Sequence, residues 1–404
     1  MQNQERDYVR ELARQIAEIA HSAQNAAIRK RWRDVNALCK PDRAPVWCRP
    51  VGVWSELLPE SQLKCADPWL RGHEQNFRRL LIKKDIGDDE PLEEYFAVEA
   101  VAECDPPDIY GVDLGRHEPD MEGGAWSFDP PLKTEADFAR LRLPKFTYNR
   151  AKTEERLAKP QDLLGDIMPV RLVADVPLGA SLPAVAARLI GLNELMLYMA
   201  LSPELVHRLM AYVRDTALAA IKAAEASGYL TPNNSGPMTC SDPIGPTPAD
   251  GKYTCKNLWA AANSQELQLV SPRMWEEFAL NYQKAVLKHF GLVQYGCCED
   301  LTRKIDGVLS IPNLRVFVCS AWTDLNKVIE RVGNRYVIMW RQKASDVIFP
   351  DDIGPIRRHL EQGARGLQGC YYQIVLRELQ TLAGHADRLH VWTRTAIEMA
   401  EKYA

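Results

Sequence analysis

The sequence predicts an α/β fold in the form of a (β/α)8 TIM barrel with an N-terminal helical extension and long lid loops. Short apolar runs typical of strands occur eight times along the chain. Amphipathic helical patterns lie between them, and this alternation implies parallel strands joined by crossover helices. The rival fold is a doubly wound open sheet, but no glycine fingerprint of a dinucleotide site is visible. The 404 residues suffice for one large barrel with additions, although two domains would also fit.

We expect a single domain over residues 1–404, with the helical extension at 1–40 and the barrel at 41–404. In the extension, Leu12, Ile16 and Ile19 recur at helical spacing and predict one helix over residues 4–38. This helix could cap the barrel or form an oligomer contact, and a homodimer is a fair expectation.

The predicted strands are apolar runs, of which the fourth has the weakest pattern. They cover residues 45–49, 95–101, 170–175, 257–261, 292–296, 314–319, 336–340 and 371–376. The predicted helices have apolar residues at a period near 3.6. They cover residues 69–84, 203–227, 272–290, 302–309, 324–332, 350–364 and 385–402.

Two stretches lack periodicity and are rich in turn-forming residues. Residues 105–131 contain many Pro, Gly and Asp, and residues 227–256 many Pro, Gly and Asn. Loops of this length inside a compact domain are usually functional lids or disordered, and we expect a lid over the barrel mouth. Asp88 and Asp89 precede the second predicted strand and are interpreted as a helix cap or a solvated turn.

Composition excludes several classes of protein. The formal net charge of −4 argues against nucleic-acid binding, which usually requires a basic excess. The chain contains no run of eighteen apolar residues, so no membrane span is expected. The charged first twenty residues do not resemble a secretory signal. Ten cysteines in such a chain are expected to be reduced thiols, so we expect a cytoplasmic protein.

The carboxyl ends of barrel strands, where catalytic groups lie, carry candidate metal ligands. Cys297, Cys298 and Glu299 follow the fifth predicted strand, and Cys319 ends the sixth. Thiolates with a carboxylate suit Zn²⁺, which could act as a Lewis acid on an ether or thiol. Cys297 and Cys298 would point to opposite sides of an extended chain, so only one of them is expected to ligate. The alternative is that these cysteines are core residues beside a surface glutamate.

Arginines occupy other strand ends. Arg49 follows the first predicted strand, Arg341 the seventh, and Arg377 with Glu378 the eighth. Arginines suit a carboxylate-bearing ligand, although internal ion pairs would explain them equally well. Trp54 and Trp322 could bind an aromatic ring, although structural packing would also account for them. We therefore predict Glu299 and Glu378 as catalytic, and the three arginines and two tryptophans as substrate-binding.

Three segments resemble a known superfamily. Residues 43–52, RAPVWCRPVG, are similar to an N-terminal segment of uroporphyrinogen decarboxylase. Residues 291–330, containing YGCCE, IPNLR and SAWTD, resemble a bacterial branch of that superfamily, and residues 371–403 resemble its ending. The resemblance implies a (β/α)8 barrel. It also implies kinship with the porphyrinogen decarboxylases and with cobalamin-dependent methyltransferases, which act with a small corrinoid protein.

The resemblance also suggests a zinc site. In the methyltransferases a His-x-Cys segment after a late strand joins a distant cysteine at the metal. Here the equivalent stretch is Tyr295-Gly-Cys297-Cys298-Glu299, from which the histidine is absent. Glu299 could replace it, and Cys319 or Cys370 could supply the remaining thiolate.

The leading hypothesis is therefore a methyltransferase. It would move a methyl group from a small O-methyl donor, such as a methoxyaromatic, to the cobalt of a cobalamin borne on a partner corrinoid protein, with Zn²⁺ or a general acid activating the ether oxygen. One alternative is a cofactor-independent decarboxylase or lyase, in which Arg49 and Arg341 converge in one pocket. Another is a ligand-binding barrel without catalysis.

Overall fold

The computed structural model describes residues 2–118, 127–377 and 379–404 and is a mixed α/β structure. Its strands are β1 (Val46–Cys48), β2 (Phe96–Glu99), β3 (Ala102–Asp105), β4 (Arg116–His117), β5 (Ser127–Phe128), β6 (Lys145–Tyr148), β7 (Val170–Val173), β8 (Trp259–Ala262), β9 (Leu292–Tyr295), β10 (Leu314–Cys319), β11 (Val337–Gln342) and β12 (Tyr371–Leu376). Each of the eight predicted strands is present, as β1, β2 and β7–β12.

Helices separate most of the parallel strands. They are α1 (Gln2–Ala20), α2 (Ala23–Asn36), α3 (Trp54–Leu57), α4 (Pro68–Ile86), α5 (Arg150–Leu164), α6 (Leu182–Ile190), α7 (Leu192–Leu201), α8 (Pro203–Ser227), α9 (Pro272–Trp275), α10 (Asn281–Leu287), α11 (Ile305–Leu309), α12 (Leu325–Val332), α13 (Ala344–Ile348), α14 (Gly354–Gly366) and α15 (Arg388–Lys402). A π-helical segment, Glu276–Leu280, joins α9 to α10. Short 3-10 turns lie at Glu60–Gln62, Glu135–Arg140, Cys255–Asn257 and Gln265–Leu267.

Six of the strands form one parallel sheet, in the order β1-β12-β11-β10-β9-β8. A separate parallel pair joins β2 to β7, and two small antiparallel pairs join β3 to β6 and β4 to β5. Across the described ranges no ladder connects the β2–β7 pair to the six-stranded sheet. The parallel α/β architecture is therefore present, whereas the closed barrel expected from the sequence is not detected.

Polar side chains lie beside β1 and β8, the two edge strands of the six-stranded sheet, where no further strand is paired. Beside β1, the amides of Val46 and Cys48 donate to the carboxylates of Asp89 and Asp88 at 2.7 and 2.8 Å. Beside β8, the Asn233 side chain accepts from the Trp259 amide at 2.8 Å. These side chains satisfy strand amides that a neighbouring strand would otherwise bind. Asp88 and Asp89 are thus buried partners of β1, and the predicted cap or solvated turn is wrong.

Alternate residues of the sheet face two different apolar layers. Val316, Val337 and Val375 pack with Trp32 of α2 on one face. Phe317 and Ile338 point the other way, into the larger core between the sheet and the helices packed on that face, called the outer helices below. This alternation follows from the period of two in a β-strand. The first face is thus covered by the N-terminal extension.

The extension consists of two helices where the sequence pattern predicts one. The break falls at Ser22, whose hydroxyl accepts from the Asn25 amide at 3.1 Å and caps α2. α1 packs against α4 and α5, and Arg10 forms two hydrogen bonds with Asp166, at 2.8 and 2.5 Å. Apolar periodicity continues through the break, which is why it does not reveal the cap.

Most of the long segment at residues 227–256 does not cover the carboxyl ends of the strands. The carbonyls of Met238 and Cys240 accept from the Asn36 side chain of α2 at 3.0 and 2.8 Å. The Ser241 hydroxyl accepts from the Trp259 indole at the start of β8. This part of the predicted lid therefore lies beside α2 and the sheet. Its first part, with Thr231, Pro232, Asn233 and Ser235, lines a cavity at the ends of β2 and β7.

Within the described residues, no single helix has the length and hydropathy needed to cross a bilayer. Taken as a pair, α6 and α7 reach those values, but their axes meet at an angle of 96°.

Close packing between α14 and β11 gives a first prediction. A Cβ added at Gly363 would overlap the Trp340 ring, so Gly363→Ala is expected to lower the free energy of unfolding by about 1–3 kcal/mol. The matched control is Gly366→Ala on the same helix, where the nearest atom, Ile329 Cδ1, is 3.5 Å away. Urea unfolding followed by circular dichroism measures both. Equal stability of the two variants would contradict this packing.

Candidate active site at the carboxyl ends of the parallel strands

A sharp turn after β9 places the cysteine pair. Gly296 has φ of +113°, and its amide donates to the Ala262 carbonyl at 2.9 Å. A Cβ at Gly296 would lie 2.9 Å from the Val318 Cβ and 3.0 Å from the Leu301 Cδ1, so a side chain is excluded on two grounds. The chain therefore leaves the sheet directly after β9, with Cys297 at its edge.

Cys297 and Cys298 lie side by side as thiols. Their sulfurs are 3.5 Å apart, and both residues are half-buried. The prediction that they point to opposite sides assumed an extended chain, which the turn at Gly296 does not provide. The Arg341 guanidinium donates to the Cys297 carbonyl, which ties the turn to β11.

Three arginines come together at the same edge of the sheet. Arg341 is paired with Val375 in the β11–β12 register, and the Arg49 amide donates to the Leu376 carbonyl at 2.8 Å, next to Arg377. Burial, followed by the charges of Arg341 and Arg49, lowers the pKa of Arg377 to about 10. Arg49 and Arg341 thus both lie close to Arg377, while their convergence in one pocket stays a prediction. Such a concentration of positive charge favours an anionic ligand.

The environment of Cys297 favours its thiolate. A hydrogen bond from the Cys298 thiol lowers the pKa of Cys297, and Arg341 and Arg377 lower it further against the effect of burial, to about 5. The same hydrogen bond and burial raise the pKa of Cys298 above its usual range. The pair thus consists of one ionised sulfur and one protonated sulfur. Since the thiolate is the reactive form, Cys297 is the reactive member.

This assignment predicts an acid-shifted reaction of one thiol. Alkylation of Cys297 by iodoacetamide is expected to reach half of its maximal rate near pH 5, because the thiolate persists down to that pH. Replacing Cys298 with Ala removes the hydrogen-bond donor, so the midpoint is expected to rise. Peptide mass spectrometry across pH 4–9 measures the rate. Exposed Cys39 serves as the internal reference, and a Cys297 midpoint above pH 8 would contradict the assignment.

Among the described residues, polar and charged groups reach Cys297 from its own turn and from two strands of the sheet. Cys298 and Glu299 belong to that turn, Arg341 extends from β11, and Arg377 follows β12. Glu299 disfavours the thiolate, whereas the hydrogen bond from Cys298 and, after it, the two arginines favour it. The expected midpoint therefore depends on both arginines as well as on Cys298.

Glu299 holds the turn together. It is only 1% exposed, and its two carboxylate oxygens accept from the amides of Ser264 at 2.9 Å and Cys297 at 2.8 Å. Burial raises the pKa of Glu299 although both amides favour the charged form. The Ser264 hydroxyl in turn accepts from the Trp275 indole at 2.7 Å. Both carboxylate oxygens are thus bound by backbone amides, and the predicted catalytic and metal-binding roles of Glu299 stay predictions.

Of the predicted zinc ligands, Cys319 and Cys370 do not join Cys297, Cys298 and Glu299. Cys319 lies in the core under the outer helices, where its sulfur is 3.7 Å from the Thr323 carbonyl. Cys370 lies at the opposite end of β12 and lines a cavity with Lys40 and Tyr403. Among the residues that the structure describes, no three His, Cys, Asp or Glu side chains are grouped to hold an ion. Two adjacent sulfurs and an amide-bound carboxylate do not fit the tetrahedral set that zinc takes.

A cavity of about 210 Å³ opens beside the cysteine pair. Cys297, Cys298, Trp322, Arg341 and Lys343 line it, together with Ser320 and Gln342. Trp322 is 61% exposed, and the Lys343 ammonium lies 5.3 Å from its ring centroid. Trp322 is thus well placed to contact a ligand at the rim.

The remaining predicted residues divide into two cases. Trp54 lies on α3, where the Arg79 guanidinium stacks 5.0 Å from its ring, and it does not line this cavity. Glu378 lies outside the described residues. Ser320 and Gln342, by contrast, line the cavity and were not among the predicted site residues. Ser320 follows β10 and Gln342 ends β11, so a search of the carboxyl ends of the strands could have found both.

Comparison with solved structures extends the fold assignment. A methyltransferase from Methanosarcina mazei matches with a TM-score of 0.51 at 12% sequence identity, over 93% of this chain and 98% of that chain. A likeness at this identity shows a common fold that extends along nearly the whole of both chains. No family model and no curated protein matches the sequence. The resemblance to the uroporphyrinogen decarboxylase superfamily therefore stays a prediction.

Proposed function

We propose that this protein is a methyltransferase that takes a methyl group from a small O-methyl donor with an anionic leaving group. The observation that carries the proposal is the cavity at the carboxyl edge of the sheet, which Arg341 and Cys297 line and beside which Arg377 lies. The full-length similarity to a methyltransferase supports the same class of reaction.

The arginines suit the chemistry of such a donor. As the carbon–oxygen bond to the methyl group breaks, negative charge develops on the departing oxygen of a phenolate or carboxylate. Fixed cations at that position stabilise the charge more in the transition state than in the neutral donor, which accelerates the reaction. Trp322 offers an aromatic face for the ring of a methoxyaromatic donor.

As the methyl acceptor we propose the cobalt of a corrinoid cofactor carried by a partner protein. The cavity of about 210 Å³ is smaller than the roughly 300–1,000 Å³ of most ligand pockets, so it suits a small donor alone. A corrinoid would have to approach the open edge of the site from outside. There it would supply a strongly nucleophilic metal centre as the second substrate.

The test is an absorbance assay with cob(I)alamin as acceptor and a panel of methoxybenzoates as donors. Conversion of the acceptor to methylcobalamin is expected with at least one donor, and no conversion is expected with benzoate. Absence of conversion with every donor, also in the presence of corrinoid proteins, would refute the proposal.

A cofactor-independent decarboxylase or lyase is the second candidate. The observation that favours it is the convergence of Arg49, Arg341 and Arg377, which suits a substrate with more than one carboxylate. This candidate predicts release of carbon dioxide from a polycarboxylic acid without any methyl acceptor. A coupled bicarbonate assay on the preparation used for the cobalamin assay distinguishes the two reactions.

A further inference from the structure

The cysteine pair has chemical features that binding of a donor at the arginines does not require. The Cys297 sulfur lines the cavity, the Cys298 sulfur lies 3.5 Å from it, and Arg341 binds the same turn. A structural cysteine needs neither a neighbouring thiol nor a buried cation, whereas a nucleophilic cysteine is typically placed beside both a proton donor and positive charge.

We propose that Cys297 is the nucleophile of the reaction and carries the methyl group as an S-methylcysteine between donor and acceptor. This inference rests on the proposed methyltransferase function and adds a covalent step to it. Cys298 and Arg341 are positioning residues for this sulfur.

Each of the two steps is balanced. First, the Cys297 thiolate attacks the methyl carbon, a sulfur–carbon bond forms, and the carbon–oxygen bond breaks with its electron pair passing to the departing oxygen. Next, the nucleophile of the acceptor attacks the same carbon, and the sulfur–carbon bond breaks with its electron pair returning to sulfur. No oxidant or reductant is consumed by the two displacements. Arg341 and Arg377 stabilise the anionic oxygen in the first step and the re-formed thiolate in the second.

The surroundings of the pair favour Cys297 over Cys298 as the nucleophile. When the Cys298 thiol donates across the 3.5 Å contact, attack by Cys298 would require loss of a proton beside an existing negative charge. Glu299, the next residue, adds another negative charge on the same side. Cys297, in contrast, receives a hydrogen bond and faces two guanidinium groups.

The test uses methyl 4-nitrobenzenesulfonate, a methyl donor with an anionic leaving group, on the intact protein at pH 6 without acceptor. Peptide mass spectrometry is expected to find one methyl group on Cys297, added on the order of tenfold faster than on exposed Cys39. The factor combines the larger thiolate fraction with the lower nucleophilicity of a less basic thiolate. Arg341→Gln is expected to abolish the preference. The matched control Arg335→Gln, at the other end of β11, is expected to keep it.

A chase with cob(I)alamin then tests the second step. The S-methyl group is expected to disappear from Cys297 as methylcobalamin forms, and Cys297→Ser is expected to lose donor-dependent methylcobalamin formation. If Cys297 is methylated no faster than Cys39, or if Cys297→Ser keeps the wild-type rate, the covalent step is overturned while methyl transfer itself stands. If Cys297 is methylated but cob(I)alamin does not accept the group, the corrinoid acceptor fails and the nucleophile stands.

Discussion

Replacing Asp88 with Ala is expected to lower the free energy of unfolding by about 3–5 kcal/mol, the range for a buried ion pair that loses one partner. The Lys83 ammonium binds the Asp88 carboxylate and the Cys48 carbonyl, and both side chains are buried. Burial opposes charge on Lys83, but Asp88, Cys48 and Glu90 together outweigh it and raise the Lys83 pKa. The substitution leaves this ammonium without its closest counter-charge and also removes the acceptor of the Cys48 amide.

Urea unfolding followed by circular dichroism measures the effect, with two comparisons. Asp85→Ala removes an exposed carboxylate that pairs with His390 at 3.0 Å, and it is expected to cost less than about 1 kcal/mol. The double variant Lys83→Met with Asp88→Leu removes both charges together and is expected to recover most of the loss. A cost below 1 kcal/mol for Asp88→Ala would show that the pair does not hold β1 in place.

The strands were predictable because their burial leaves a direct signal in the sequence. β10 and β12 are six-residue runs that are apolar on both faces, as expected for a parallel sheet covered on both sides. The same signal does not predict whether the sheet closes into a barrel. Closure depends on side chains such as those of Asp88 and Asn233, which bind strand amides where a ladder would otherwise form. Hydropathy indicates which residues are buried, but it does not indicate which group each strand amide binds.

The helices were predictable only where one face is apolar. α8 was found with its observed bounds, because its buried residues recur along a single face. α6 and α7 were missed because both are short and rich in apolar residues, and α7 also lacks a clear helical period. α5 was missed because its pattern is weak and Pro160 lies inside it.

For the site, we predicted that residues at the carboxyl ends of the strands lie together. This prediction was right for long side chains and wrong for a short one. Arg49, Arg341 and Arg377 come together because neighbouring parallel strands end at the same edge. Cys319 ends its strand too, but the alternation along β10 turns its short side chain toward the outer helices. The orientation of Glu299 follows from the turn at Gly296, whose positive φ the sequence alone did not reveal.

Replacing Arg341 with Gln is expected to lower kcat/KM for methyl transfer by about 100-fold, which corresponds to about 3 kcal/mol of lost transition-state stabilisation. Arg341 is only 2% exposed, so water does not replace its charge efficiently. The substitution removes a cation from the departing oxygen of the donor and from the Cys297 thiolate at once. Most of the loss is expected in kcat, because both charges develop or reappear during the chemical steps.

Three comparisons separate this catalytic effect from a loss of structure. Arg341→Lys keeps a positive charge but loses the planar fork, and it is expected to recover part of the lost rate. Arg335→Gln, an exposed arginine just before β11, is expected to match the wild type. The alkylation profile of Cys297 is expected to move to higher pH in Arg341→Gln, a change that simple loosening of the sheet does not predict. An Arg341→Gln variant within threefold of wild-type kcat/KM would show that the arginine cluster does not take part in the reaction.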